Sequence, residues 1–84
     1  MDKVIELLKT AAGLGLAAAM YNLGVAYDKG KGVKKDKAEA VKWYRLAAAQ
    51  NNANAQCNLG GMYAGGRGVK KDDVEALRWD RVAA

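Results

Sequence analysis

The chain has 84 residues, a formal charge of +5 and no histidine, proline or phenylalanine. Without histidine it lacks the commonest general base and metal ligand. Serine is absent too, and Cys57 is the only cysteine, so neither a hydrolytic triad nor a disulfide within the chain can form. We therefore predict a chain that is not an enzyme, with no catalytic residue, no metal site and no cofactor.

The first predicted helix runs from about Asp2 to Ala12, where apolar residues recur at helical spacing. The glycines of Gly13-Leu14-Gly15 predict a turn. A second helix is expected from about Leu16 to Lys29. Gly24 in its middle costs about 1 kcal/mol relative to alanine. That cost predicts a packing role, in which a neighbouring helix approaches closely.

A basic loop follows the second helix, because Gly30-Lys31-Gly32 is a typical helix stop. Val33 is an apolar residue inside this loop and is expected to tuck under the helix pair. Asp36 precedes the next predicted helix, from Lys37 to Ala49, and Glu39 completes the spacing of a capping box. In that motif the aspartate caps a backbone N–H and the glutamate reaches back. The helix is expected to bury Ala40, Trp43, Tyr44 and Ala47.

The rest of the chain repeats this organisation. Asn51-Asn52 predicts a break, and further helices are expected over Ala53–Gly65 and from Asp73 to Ala84. The segment from Asn22 to Ala48 returns, with edits, from Asn58 onward, a step of about 36 residues that is typical of a helical repeat array. The predicted fold is all-α, with five antiparallel helices in one domain: a half repeat over about 1–14 and repeats over about 15–50 and 51–84.

The residues that recur resemble the Sel-1-like repeat, a relative of the tetratricopeptide repeat. The first copy carries Leu23-Gly24, Tyr27, Gly30, Gly32-Val33, Asp36, Ala40, Trp43-Tyr44 and Ala47-Ala48. The second copy departs from the pattern at Asp80, where a tyrosine is usual. The resemblance implies a short α-solenoid, a right-handed superhelix of antiparallel helix pairs in two and a half repeats. It also implies an adaptor role in protein assemblies.

The resemblance to tetratricopeptide domains also implies where a partner binds. There, the inner helix of each repeat faces a concave groove, and an asparagine before the Leu-Gly pair often contacts a bound peptide. Asn22 and Asn58 match that position, and the alternative is that they are exposed or bridge helices. A carboxylate clamp needs a basic residue one turn earlier, where Ala18 and Asn54 stand instead. The predicted concave face comprises Tyr21, Asn22, Val25, Asp28, Asn54 and Asn58, and it is shallower beside Cys57, Gly61 and Ala64.

The two glycine-rich loops carry basic residues that recur with the repeat: Lys31, Lys34 and Lys35, then Arg67, Lys70 and Lys71. Ordinary solvation before a helix is one interpretation. The other is an electrostatic patch for an acidic protein. Nucleic acid is disfavoured as a partner because no aromatic residue interleaves with these lysines.

The sequence thus favours a non-catalytic adaptor that binds a protein or peptide partner, of acidic character if the charge is used. The alternative is a self-associating module, or a fragment of a longer array, that assembles through its end helices as a homo-oligomer. Val4, Leu7 and Leu8 lack the partner helix of their repeat, whereas Arg78, Asp80 and Arg81 give the last helix a partial polar cap. Cys57 is expected to be a small packing residue.

An apolar segment over residues 14–26 invites comparison with a signal peptide. Asp2 and Glu6 interrupt the basic region in front of it, and Asn22 and Gly24 belong to the repeat. No apolar run reaches the roughly 20 residues of a membrane-spanning helix. We predict neither a signal peptide nor a membrane span, and a cytoplasmic location is favoured unless a leader has been removed.

Overall fold

Five helices follow one another along the chain. The computed structural model describes residues 3–83, with the backbone alone for Val4 and Ala83. The helices are α1 (Lys3–Gly13), α2 (Ala17–Lys29), α3 (Lys37–Ala49), α4 (Ala53–Gly65) and α5 (Asp73–Ala83), and residues 3–83 contain no strand. The all-α prediction is confirmed, and the predicted ends of α3 and α4 agree with the structure. The predicted helix ends at Asp2 and Ala84 lie outside the described residues.

The loops after α2 and α4 are built alike. Each starts at a glycine in the left-handed region, Gly30 at φ 72° and Gly66 at φ 64°. At the other end of each loop, the Asp36 N–H donates to the Tyr27 carbonyl (2.9 Å) and the Asp72 N–H donates to the Tyr63 carbonyl (3.0 Å). These bonds close each loop on the helix before it and fix where the next helix begins.

Both aspartates cap their helices as predicted. An oxygen of Asp36 accepts from the Glu39 N–H (3.1 Å), and one of Asp72 accepts from the Glu75 N–H (3.1 Å). The other half of the predicted capping box, in which the glutamate side chain bonds the backbone N–H of the aspartate, was wrong. The backbone N–H of each aspartate already donates to the carbonyl that closes the loop, so the glutamate has no donor to reach.

The helices stack in sequence order, each on the one before it, into a short α-solenoid that measures 37 × 23 × 14 Å. Its core contains many alanines, which let the helices approach closely. The largest side chains that are completely buried are Tyr44, Leu23, Leu59 and Met62. Of the residues expected inside α3, Ala40, Tyr44 and Ala47 are buried, and Trp43 is half-buried.

The two repeats meet where α3 packs against α4 and its loop. Arg45 of α3 donates to the Tyr63 hydroxyl and lies 5.6 Å from the centre of that ring. Gly68 of the second loop lies against the start of α3. Val33 and Val69 pack against the core from their loops, as predicted for an apolar residue in a basic loop.

The two end helices carry exposed apolar side chains. Leu7 of α1 is 69% exposed, Leu8 is half-buried, and the Val4 side chain lies outside the described residues. On α5, exposed Arg78, Asp80 and Arg81 are interspersed with exposed Val74, Leu77 and Val82. The polar cap predicted for α5 is therefore partial. No helix within residues 3–83 is long and apolar enough to cross a membrane.

Candidate functional site

A groove of about 400 Å³ separates α2 from α4. Tyr44 of α3 lies between the two helices, and Arg67 of the second loop lies at the end of the groove near Gly61. We define the α2–α4 groove by the residues that line it: Tyr21, Val25, Asp28, Lys29, Tyr44, Cys57, Asn58, Gly61, Met62 and Arg67. Four of the six residues predicted for the partner-binding face are among them, namely Tyr21, Val25, Asp28 and Asn58.

Helical spacing explains why these side chains share one face. Tyr21, Val25 and Asp28 follow one another at steps of four and three, so they line one side of α2. Leu23 points the other way, into the core, where it is completely buried. Asn58 and Gly61 are one repeat step beyond Asn22 and Val25, so the same rule brings α4 residues to the groove.

Asp28 is the only carboxylate that lines the groove, and it is already paired. The Lys37 ammonium donates to it at 2.5 Å, and the Tyr44 hydroxyl donates at 3.3 Å. Burial alone would raise the pKa of Asp28, but the hydrogen bond and charge of Lys37 outweigh it and hold the pKa below its ordinary value. The groove therefore contains a carboxylate that remains ionised and is neutralised by its own lysine.

Tyr44 is held as a neutral phenol. Its ring lies 5.9 Å from the ring of Tyr21, centre to centre, at an angle of 38°. Burial raises the pKa of Tyr44 to about 12; a hydrogen bond with the Asn58 side chain opposes the rise, and the negative charge of Asp28 adds to it. The hydroxyl is thus a hydrogen-bond donor at neutral pH, with Asp28 as its acceptor.

Arg67 enters the groove, a position that the sequence did not predict. A Cβ atom on Gly61 would lie 3.3 Å from an Arg67 guanidinium nitrogen, and one on Gly65 would lie 3.3 Å from its Nε. The arginine therefore lies along the α4 surface that these two glycines leave free. The second half of the groove is lined by this cation, where the sequence predicted only a shallower surface. The sequence feature that could have predicted this position is the pair Gly61 and Gly65 on one face of α4, followed two residues later by Arg67.

Asn22 lies in a neighbouring recess. This recess of about 270 Å³ lies between α1 and α2, and we call it the α1–α2 recess; it is lined by Ile5, Leu8, Asn22, Val25, Ala26, Lys31 and Gly32. Val25 borders both the recess and the groove. Asn22 with Lys31 corresponds, one repeat on, to Asn58 with Arg67. Each cavity thus pairs one predicted asparagine with one predicted loop cation.

The other predicted basic residues lie elsewhere. Lys34, Lys35, Lys70 and Lys71 are exposed on the loops and line neither of these two cavities in the described structure. The Lys71 ammonium donates to the Ala64 carbonyl (3.1 Å) and to Asp73 (2.9 Å). The predicted basic loop residues thus divide into two groups, of which only Lys31 and Arg67 belong to the cavities.

Two α4 residues differ in position from what was expected. Asn54 is exposed at the start of the helix and does not line either cavity formed by residues 3–83. Cys57 is exposed and lines the α2–α4 groove, so the expected packing role was wrong. It occupies the position that Tyr21 has in the first repeat, where the side chain faces the groove.

The described part of the chain contains no group of three cysteine, aspartate or glutamate residues placed to hold a metal ion. What the groove offers a ligand is the Asn58 amide, the half-buried ring and hydroxyl of Tyr21, and two cations. These groups suit the recognition of a polar ligand.

Comparison with known proteins adds the family. The sequence model of the Sel1 repeat matches residues 17–52 and again residues 53–84, which together cover most of the chain. The chain belongs to the Sel1 repeat family. Both matches start at the first residue of an α2- or α4-type helix, so the repeat read from the residues and the family's repeat coincide in register.

The solved structures agree with this assignment. A Sel1 repeat protein from Oxalobacter formigenes is 46% identical, with a TM-score of 0.93 over 95% of this chain and 33% of that one. The cysteine-rich protein B (hcpB) of Helicobacter pylori is 31% identical, with a TM-score of 0.93 over 96% of this chain and 61% of that one. The Sel1 solenoid fold is therefore established for the described residues.

Among curated relatives, DAP3-binding cell death enhancer 1 of Rattus norvegicus is 37% identical over 51 residues, which are 61% of this chain and 10% of that protein. The chain thus spans about a tenth of the curated relative's length. Sel1 repeats generally mediate protein–protein interaction, and the family is a non-catalytic scaffold family.

Proposed function

We propose that this Sel1 repeat chain is a non-catalytic adaptor that binds a peptide segment of a partner protein in the α2–α4 groove. One observation carries the proposal: the groove brings polar side chains of two different repeats, Asp28 and Asn58, to the two sides of one cavity of about 400 Å³. A ligand in this cavity would contact both repeats at once. Neither repeat alone provides both walls.

The chemistry of the walls suits a peptide. The Asn58 amide can donate and accept, as a peptide backbone requires. Tyr21 is half-buried and offers aromatic surface beside it. Aromatic side chains supply much of the binding energy of protein interfaces. Because Asp28 is already satisfied by Lys37, a ligand does not have to neutralise it.

The relatives support a binding role of this kind. The rat relative is named for binding DAP3, and this chain is similar to a tenth of it. A protective antigen of uropathogenic Escherichia coli with the same repeat fold is 45% identical, with a TM-score of 0.91 over 93% of this chain and 17% of that one. An adaptor function is compatible with both names, since neither describes a reaction.

Capture from a lysate of the source tests the proposal. We expect a partner that is retained by the native chain and lost with Asn58→Ala, because this truncation removes a groove amide. Asn54→Ala is the matched control, the same change on the same helix outside the groove, and should retain the partner. Asn22→Ala tests whether the ligand extends into the α1–α2 recess. Equal retention by native and Asn58→Ala chains would place the binding surface elsewhere.

A second candidate function is assembly through the end helices. Leu77 of α5 corresponds to Val41 of α3, yet Leu77 is 54% exposed whereas Val41 is buried under the second repeat. Val74 and Val82 are exposed on α5 as well, at the positions of Ala38 and Leu46, which stay exposed on α3. A further repeat, in a second copy or in a longer array, would therefore bury Leu77 as the second repeat buries Val41.

Sedimentation equilibrium separates the second candidate from the first. An assembling chain gains mass with concentration, and Leu77→Glu should abolish the gain by placing a charge in the contact. Lys70→Glu, a change outside both end helices, is the control. A mass that stays that of a monomer at all concentrations would contradict assembly of copies of this chain.

A further inference from the structure

The α2–α4 groove and the α1–α2 recess lie side by side and share Val25. Each contains an asparagine from α2 or α4 and a cation from the loop that follows that helix. The two pairs, Asn22 with Lys31 and Asn58 with Arg67, occur at the same place in successive repeats. An extended ligand that crosses Val25 would meet the same two chemical groups twice.

The charge in the groove is positive once its internal pair is discounted. Asp28 is held by Lys37 and by the Tyr44 hydroxyl. Lys29 and Arg67 also line the groove, and neither makes a salt bridge within residues 3–83. A ligand therefore meets two cations that form no salt bridge within the described residues, while Asp28, the groove carboxylate whose pKa the charge of Arg67 helps to lower, is already bonded to Lys37.

Arg67 is suited to reading a carboxylate. Its guanidinium lies against α4 because Gly61 and Gly65 provide no side chain in its way. A planar guanidinium can bond a carboxylate through two parallel hydrogen bonds, and such charge-assisted bonds are the stronger kind. The Asn58 amide in the same groove can bond the peptide unit next to that carboxylate.

We propose that the ligand of this surface is an extended acidic peptide, with one Asp or Glu side chain at Arg67 and a second at Lys31. This inference rests on the proposed function and adds the chemistry of the partner. The asparagines bond the backbone between the two carboxylates. Ile5, Leu8 and Ala26 line the recess around Lys31, so an apolar residue of the peptide fits beside the second carboxylate.

The binding test uses short random peptides displayed inside a carrier protein, so that none has a free terminal carboxylate. Selection on the native chain should enrich Asp and Glu. Selected peptides, resynthesised with acetylated and amidated ends, should bind Arg67→Gln at least roughly tenfold more weakly, as the loss of a charge-assisted hydrogen bond implies. Lys70→Gln removes the same charge from an exposed loop position outside both cavities and should change affinity by less than about twofold.

A further peptide tests whether the bound carboxylate belongs to a side chain or to the C-terminus of the peptide. A peptide without acidic side chains but with a free C-terminus should bind poorly if side-chain carboxylates are read. If it binds as well as the acidic peptides, the groove reads a terminal carboxylate and the assignment to Asp and Glu side chains is overturned. Displacement of the acidic peptide by a single-stranded oligonucleotide, with the same sensitivity to Arg67→Gln, would overturn it in favour of nucleic acid.

Cys57 separates failure of this inference from failure of the proposed function. It is exposed, lines the groove and is the only cysteine, so a bulky maleimide can be attached there alone. If enriched peptides are not acidic but the adduct blocks them, the groove binds peptides and only the charge assignment fails. If the adduct leaves binding unchanged, or no peptide is enriched, the groove is not the binding surface and both fail. Equal losses with Arg67→Gln and Lys70→Gln overturn the role of Arg67.

Discussion

Gly24 of α2 lies directly against the ring of Tyr44 on α3. A Cβ atom on Gly24 would come within 2.5 Å of two carbons of that ring, which real contacts do not allow. Tyr44 is completely buried and reaches past Gly24 to donate to Asp28. The glycine thus determines how closely α3 approaches α2 and where the tyrosine of the groove lies. The packing role that the sequence predicted for Gly24 is confirmed.

Gly24→Ala should lower the free energy of unfolding by roughly 1–2 kcal/mol. Overpacking costs about 1–3 kcal/mol, and the better helix propensity of alanine offsets about 1 kcal/mol of this. The buried ring of Tyr44 has little room to move, so the overpacking cost should lie in the upper part of its range. Urea denaturation followed by circular dichroism measures the change.

Gly13→Ala is the control for that experiment. Gly13 is the last residue of α1, and a Cβ atom there would meet nothing within 4 Å. We expect its stability to equal or exceed that of the native chain. If Gly24→Ala proved as stable as Gly13→Ala, the contact with Tyr44 would not limit the packing of the two helices.

Much of the fold could be predicted from the sequence because one pattern occurs twice. Gly30 and Gly66 coincide at the repeat step, as do Asp36 and Asp72, so the end of one helix and the start of the next are each marked twice in the sequence. The capping box failed in its second half because it is a local pattern, whereas the loop closes through a backbone bond from Asp36 to Tyr27. The spacing of Asp36 and Glu39 cannot show that the Asp36 N–H already donates to the Tyr27 carbonyl.

The site was predictable only where it followed the helix period. Tyr21, Val25 and Asp28 share a face by spacing alone, and the structure places all three in the groove. The position of Arg67 depends on a loop that folds back over Gly61, a relationship between residues that no helical period connects. For the same reason, the helical period could not separate Lys31, which lines the α1–α2 recess, from the other lysines of the loops, which are exposed.

Gly68→Ala should destabilise the chain more than any other single change at a loop glycine. Gly68 has φ 72°, and a Cβ atom there would overlap the Lys37 carbonyl at the start of α3. The left-handed backbone costs an alanine about 1 kcal/mol, and the backbone clash adds to it because a carbonyl cannot rotate away. We expect a loss of about 2–4 kcal/mol by urea denaturation.

Gly66→Ala separates the cost of the left-handed backbone from the cost of the clash with α3. Gly66 also has a positive φ, 64°, but a Cβ atom there would meet the Lys71 side chain at 3.2 Å and no backbone of another repeat. The difference between the two variants measures the contact between repeats. Equal losses would mean that the approach of the second loop to α3 contributes nothing beyond the turn.

The phenol of Tyr44 should lose its proton at a higher pH than an ordinary tyrosine. Its pKa in the folded chain is raised to about 12, above the value of about 10 expected after unfolding. The folded state therefore favours the neutral phenol, and this contribution to stability is complete below pH 10 and is lost as the pH rises to 12. Phenolate absorbance, as the difference between native and Tyr44→Phe chains, should have its midpoint near 12 when folded. A midpoint near 10 in both folded and denatured chains would show that the hydroxyl is open to water.

Asp28 gives the opposite dependence at acid pH. Its pKa is held low by Lys37, so its contribution to stability is present above the unfolded pKa of about 4 and is lost as the pH falls through the folded value. Asp28→Asn should therefore lose less stability between pH 6 and pH 2 than the native chain. Asp73→Asn, at an exposed pair with Lys71, should behave like the native chain. Identical acid profiles for native and Asp28→Asn chains would contradict the assigned pair.

Asp80→Tyr should stabilise the second repeat. Asp80 stands where the first repeat has Tyr44, and Gly60 faces it as Gly24 faces Tyr44: a Cβ atom on Gly60 would lie 2.9 Å from an Asp80 oxygen. A tyrosine there could lay its ring on Gly60 and remove apolar surface from water. Because no further helix of the described residues covers α5, only one side of the ring would be buried. We expect a gain of about 1 kcal/mol in urea denaturation.

Two comparisons test that explanation. Arg81→Tyr places the same side chain on the neighbouring exposed position of α5, away from Gly60, and should gain nothing. Gly60→Ala should lower the stability of the native chain modestly, because the Asp80 carboxylate can move aside but a Cβ atom would also lie 3.2 Å from the Ala76 carbonyl oxygen, and it should cancel the gain of Asp80→Tyr. Additive effects of Gly60→Ala and Asp80→Tyr would show that the ring does not reach the glycine. Non-additivity would show that the glycine and tyrosine of this repeat act as one packing unit, which the second repeat lacks through a single substitution.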